Sequence, residues 1–168
     1  GVLFLDYDLD GRLDIFTSNG HLEEEINRVQ ASQQYEQPPQ LFWNCGSSSD
    51  TEFAAVAAAQ CGKDLRKPMV GRGASYADID GDGIKDIVTG KCYYAHNGRD
   101  PGAEQPAVLY WFKTTRHKDG TAELVPHLID TDSGVGRQIS TGDLNGDGKM
   151  DIVVGNKKGV FAFIQEAE

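Results

Sequence analysis

The feature that most constrains this chain is one acidic loop written three times. It reads Asp6-Tyr7-Asp8-Leu9-Asp10-Gly11-Arg12-Leu13-Asp14, then Asp78-Ile79-Asp80-Gly81-Asp82-Gly83-Ile84-Lys85-Asp86, then Asp143-Leu144-Asn145-Gly146-Asp147-Gly148-Lys149-Met150-Asp151. Successive copies start about 70 residues apart, and self-similarity of this kind marks a repeat architecture whose units stack on one another. The flanks repeat as well. A short apolar or alternating stretch precedes each loop, at Val2 to Leu5, Ala74 to Ala77 and Gln138 to Gly142. A β-branched run follows each: Ile15-Phe16-Thr17, Ile87-Val88-Thr89 and Ile152-Val153-Val154. Such runs form strands, and the turn signals Asn19-Gly20, Gly90 and Gly155-Asn156 close them. The unit is therefore strand, acidic loop, strand.

Further strands are expected at Leu41 to Trp43 and Phe53 to Val56, at Ala107 to Thr114 and Glu123 to Ile129, and at Val160 to Ile164. Pro126 cannot donate to a sheet ladder and so assigns its strand to an edge. The spacing of Ile26 and Val29 within Leu22 to Gln34 predicts one or two turns of surface helix, and 100–105 reads as a loop. The fold class expected is all-β: β-propeller blades of four-stranded antiparallel sheets, forming a partial propeller of about two and a half to three blades with a short helical insertion. Residues 1–168 form one such unit, with a first blade at about 1–70, a second at about 71–134 and an incomplete third at about 135–168. Twenty glycines in 168 residues suit that many tight turns.

The loop chemistry points to calcium. That ion takes about six to eight hard oxygen ligands in flexible geometry. Carboxylates at positions 1, 3 and 5 of a tightly curled loop converge on one point, and a glycine at position 6 allows the turn. The expected side-chain ligands are Asp6, Asp8, Asp10 and Asp14; Asp78, Asp80, Asp82 and Asp86; and Asp143, Asn145, Asp147 and Asp151. Arg12, Ile84 and Lys149 at position 7 would add backbone carbonyls, and the position-9 aspartate would close the shell, often with both oxygens. Up to three Ca2+ ions are expected. An EF-hand loop opens in the same way but needs a bidentate Glu at position 12 and helical flanks. Position 12 is Thr17, Thr89 or Val154, and the flanks read as strands.

These residues resemble a known family. The stretches from Ala77 to Gly90 (ADIDGDGIKDIVTG) and from Gly142 to Asn156 (GDLNGDGKMDIVVGN) look like the FG-GAP/VCBS repeats of integrin-α-like propellers. The first part, with FLDYDLDGRLDIFTSNGHLEEEIN, YEQPPQLFWNCG and VGRGASYADIDGDG, resembles the bacterial relatives of cartilage acidic protein, which are associated with ASPIC/UnbV domains. The resemblance implies a propeller of typically seven blades, located extracellularly, on a cell surface or in the periplasm, with calcium between the first two strands of a blade. Two complete blades and part of a third do not close a ring, so missing blades or other chains are expected to complete it.

The net charge of −10 argues against nucleic acid as a partner. Eleven of the 26 acidic residues lie in the three loops, so the acidity is mostly metal-ligand inventory. No apolar run reaches the roughly 20 residues that span a bilayer, so no membrane insertion is expected. An opening inside a strand-like run, without Met, points to a mature domain or a fragment. Cys45 and Cys61 are candidates for a bridge across one blade in an oxidising compartment, and Cys92 reads as a buried small residue. Cys92 and His96 lack the second pair that structural zinc needs, and His21 reads as a turn residue. Trp43, Trp111, Tyr93, Tyr94 and Tyr110 are either core packing or a sugar-stacking surface. No catalytic constellation is visible. The function expected is a non-enzymatic, calcium-stabilised extracellular module binding a protein or glycan surface, as in adhesion. The alternatives are a fragment of a calcium-dependent carbohydrate-active enzyme of polysaccharide-lyase type, or a structural subunit of a surface layer or fibre.

Overall fold

The structure is a computed structural model that describes residues 1–93, 95–99 and 101–166. Its strands form three antiparallel sheets, each a meander in chain order. The first joins β1 (Val2–Leu5), β2 (Asp14–Thr17), β3 (Gln40–Asn44) and β4 (Phe53–Ala55). The second joins β5 (Ala74–Ala77), β6 (Asp86–Gly90), β7 (Leu109–Arg116) and β8 (Ala122–Asp130). The third joins β9 (Gln138–Gly142), β10 (Asp151–Asn156) and β11 (Gly159–Phe163). Four-stranded antiparallel meanders of this kind are what propeller blades are made of. The first strands are neighbours in space, β1 beside β5 and β5 beside β9. Pro126 falls on β8, the edge strand of the second sheet, opposite Phe112.

Alternation along each strand sends side chains to two separate cores. Between the first and second sheets lie Leu5, Phe16 and Leu41 from one side and Ile87 and Phe112 from the other. Val88 and Leu109, on the opposite face of the second sheet, meet Ile139, Ile152 and Val154 of the third. The middle sheet is thus covered on both sides, and every residue of β6 is buried. Each fully buried Phe, Leu or Ile stabilises this packing by about 1.5–3 kcal/mol.

The expected surface helix is the single turn α1 (Ile26–Val29), with Val29 88% exposed. A second short helix, α2 (Ala58–Cys61), was not anticipated from the sequence; it follows an alanine run, ends at Gly62 with φ 88°, and packs on β8. It buries Cys61 completely in the core between the first two sheets. Cys45 and Cys61 are free thiols, so the bridge entertained above is absent. Cys92 is half-buried rather than fully buried and forms an isolated bridge with Val135.

Candidate metal loops

Each acidic loop joins the first strand of a sheet to the second, and all three fold in the same way. The position-1 carboxylate accepts the N–H of position 6: Asp6 from Gly11 at 2.9 Å, Asp78 from Gly83 at 3.0 Å, and Asp143 from Gly148 at 2.8 Å. Position 3 accepts from position 5, as Asp8 from Asp10, Asp80 from Asp82, and Asn145 from Asp147. Position 5 accepts from position 7, as Asp10 from Arg12, Asp82 from Ile84, and Asp147 from Lys149. The curl requires left-handed backbone at position 6 (Gly11, Gly83, Gly148) and also at position 4. Glycine serves position 4 in the second and third loops, as Gly81 and Gly146; the first loop places Leu9 there, at φ 57°.

The position-9 aspartates Asp14, Asp86 and Asp151 are almost completely buried. One oxygen of each accepts the position-2 amide: Tyr7 to Asp14 at 3.0 Å, Ile79 to Asp86 at 3.1 Å, and Leu144 to Asp151 at 2.8 Å. The other accepts an amide of the third strand in the first two sheets, Asn44 at 2.8 Å and Thr114 at 2.8 Å, and in the third sheet that of Gln165 at 2.9 Å, just past the end of β11. The closing aspartate therefore pins its loop to the third strand, a role that sequence spacing did not reveal. Burial raises the Asp14 carboxyl above its ordinary range and pushes Asp86 up to about 6, against the opposing pull of their backbone hydrogen bonds.

In the first two loops three carboxylates converge. Ligand oxygens of Asp6, Asp8 and Asp14 lie within 4.8 Å of one another, as do those of Asp78, Asp80 and Asp86. Asp78 Oδ1 is buried without a hydrogen-bond partner, which suits a cation contact at that oxygen. Position 5 stands outside both groups. Asp10 is ion-paired with Arg12, and Asp82 and Asp80 both engage the Lys113 ammonium. Among the described residues the third loop has no such carboxylate triad; Asn145 supplies a neutral amide there, donating to Asp147. Lys149 of that loop reaches instead to the Glu166 carbonyl.

Residues 135–160 match the FG-GAP repeat. The matched segment holds β9, the third loop, β10 and the start of β11. The same loop hydrogen bonds recur in the first and second sheets, outside the match. No curated protein matches the chain, and nothing supports the likeness of its first part to relatives of cartilage acidic protein.

The remaining sequence candidates take structural places. His21 lies in the irregular segment between β2 and α1, its Nδ1 accepting the Glu23 amide at 2.9 Å, while Arg72 donates to the Gly20 and His21 carbonyls and ties the first two sheets together. Trp111 stacks on His127 with ring centres 4.4 Å apart, and Tyr110 leans on Phe112. Trp43, 38% exposed, lies under the Arg12 guanidinium. Tyr94 and the side chain of His96 lie outside the described residues.

Proposed function

We propose that this chain is a calcium-binding module of the FG-GAP type that works in binding or adhesion rather than catalysis, with calcium in a structural role. The observation that carries the reading is the loop geometry, built three times with the same hydrogen bonds and bringing carboxylates together in two copies. Three carboxylates held this close repel one another strongly, and a hard divalent cation reverses that repulsion. Asp6, Asp8, Asp10 and Asp14, with the Arg12 carbonyl, are the proposed set of the first loop. Asp78, Asp80, Asp82 and Asp86, with the Ile84 carbonyl, form the second. Asp143, Asn145, Asp147 and Asp151, with the Lys149 carbonyl, form the third and least charged. Because both oxygens of each closing aspartate already accept an amide, that residue is expected to offer the metal a remaining lone pair of one oxygen rather than a bidentate grip.

The bound ion would fix the junction of the first two strands without changing the fold. The working surface would then lie on loops away from the metal, facing a protein or glycan. FG-GAP repeats are typical of extracellular proteins, which supports a location outside the cell or in the periplasm. Among the described residues no helix is long and apolar enough to cross a membrane. Equilibrium dialysis against calcium tests the reading. Saturable uptake that falls by one ion in Asp80→Asn supports it; no uptake at millimolar calcium would remove its basis.

A further inference from the structure

We propose that Asn145 is a self-modifying site: the Gly146 amide displaces ammonia from its carboxamide, and water turns the product into an aspartate, giving the third loop the carboxylate set of the second. The covalent step stands on the hydrogen bonds of the loop. Only its consequence for the metal rests on the calcium reading. Position 3 is an aspartate in the first two loops, Asp8 and Asp80, and Asn145 in the third. The rest of the third loop already matches the second, since Asp143, Gly146, Asp147, Gly148 and Asp151 stand where Asp78, Gly81, Asp82, Gly83 and Asp86 do. Hydrolysis of one amide therefore completes the pattern.

An Asn followed by Gly is reactive because glycine, lacking a Cβ, leaves its amide nitrogen open to approach. Asn145 and Gly146 are both exposed, and a Cβ placed on Gly146 would meet nothing within 4 Å. This openness does not come from the position of the third sheet, because Asp80 is exposed at the same place in the middle one. The loop also arranges the reacting groups. The Gly146 N–H donates to Asp143 Oδ1 at 2.6 Å, a carboxylate placed to take its proton. Among the described residues neither Leu9 nor Gly81 donates its amide in this way. Asn145 Oδ1 accepts the Asp147 amide at 3.0 Å, a donor that polarises the carboxamide and stabilises the oxyanion formed on attack. Asn19-Gly20 is the contrast inside the same chain. The Asn19 amide donates to the Pro38 carbonyl at 3.0 Å, and a Cβ on Gly20 would lie 2.9 Å from Val70 Cα.

In the first step the Gly146 nitrogen bonds to the Asn145 side-chain carbonyl carbon, its proton passes to Asp143, and Nδ2 leaves as ammonia with a proton from solvent. Water then opens the resulting five-membered imide. Cleavage at the side-chain carbonyl restores the normal backbone with an aspartate, and cleavage at the main-chain carbonyl gives an isoaspartyl link. Either product is about 1 Da heavier and carries one more negative charge.

The test is to age the 168-residue chain at neutral pH, folded and in parallel unfolded in urea, and to follow ammonia release and peptide masses. Asn145 is expected to convert in the folded chain at least as fast as in urea, while Asn19 slows about tenfold or more on folding. Gly146→Ala, at a position where Leu9 shows that a side chain is accepted, should slow conversion about tenfold. Calcium titration of Asn145→Asp should show the third loop binding about tenfold more tightly than in the unaged wild type, as an added carboxylate requires. An Asn145 that converts in urea but not in the folded chain overturns the proposal, and so does a Gly146→Ala variant that converts at the wild-type rate. Conversion without any gain in calcium binding by Asn145→Asp would overturn its second half, and with it the calcium reading of this loop, while the modification stands.

Discussion

Replacing Asp86 by Ala separates the structural work of the closing aspartate from its metal contact. The carboxylate accepts the buried amides of Ile79 and Thr114, at 3.1 and 2.8 Å. Truncation strands both, at about 1–3 kcal/mol each, so about 2–6 kcal/mol in all. Opposing this is the cost of burying the charge, which raises the Asp86 carboxyl from 3.8 to about 6. A raised acid binds its proton more tightly in the folded state than in the unfolded one, so metal-free stability rises as pH falls through about 6 toward 3.8. Between pH 7 and pH 5 the wild type should gain on the order of 1 kcal/mol from this group, and the alanine variant none of it. The destabilisation caused by Asp86→Ala must therefore be larger at pH 5 than at pH 7, by about that amount. Urea unfolding of both proteins in metal-free buffer at the two pH values gives the difference directly. A penalty below about 1 kcal/mol at pH 5, or one that does not grow on acidification, would refute the reasoning. Asp80→Asn is the control: losing its partly exposed pair with Lys113 and its weak bond to the Asp82 amide should change metal-free stability by no more than about 1 kcal/mol, without the pH dependence of Asp86→Ala.

Two further outcomes follow from the loops. Leu9 holds the left-handed backbone that glycine holds in the other copies, a conformation costing an L-residue about 1–2 kcal/mol. Leu9→Gly should raise metal-free stability by up to about 1 kcal/mol after the extra unfolded-state entropy of glycine is subtracted, as read by urea midpoint. Lys113 engages Asp80 and Asp82 and must yield to an incoming ion. Lys113→Met should tighten calcium binding at the second loop by up to about fivefold, the worth of a partly exposed ion pair, in calorimetric titration.

Much of the fold is visible in the residues because the repeat imposes one pattern three times. The strands flanking each loop stand where β-branched runs and glycine turns place them, since alternation and turn chemistry are local signals. The one-turn helix over Ala58–Cys61 was not legible, because an alanine run of this length is too short to form alone and is held by packing on β8. The Cys45–Cys61 pairing left open by sequence also fails for a tertiary reason: α2 turns Cys61 into the inter-sheet core. At the site, acidic spacing disclosed the ligand set but not the internal economy of the loop. The closing aspartates bond to amides some 30 residues away in the first two sheets, Asn44 and Thr114, which no local pattern encodes. The left-handed position 4 did have a signal, Gly81 and Gly146, hidden by Leu9 in the first copy. The ion pairing of Lys113 with the second loop depends on strand register and is likewise invisible in one dimension.

Thermal unfolding in excess EDTA, in a few millimolar calcium and in the same concentration of magnesium tests the central claim most directly. An ion that binds only the folded loops raises stability by mass action, by about 2.7 kcal/mol at a hundredfold excess over Kd for each site. The account predicts a melting temperature several degrees higher in calcium than in EDTA, with magnesium giving little of that rise because it demands tighter octahedral geometry. Identical melting in all three buffers would contradict it.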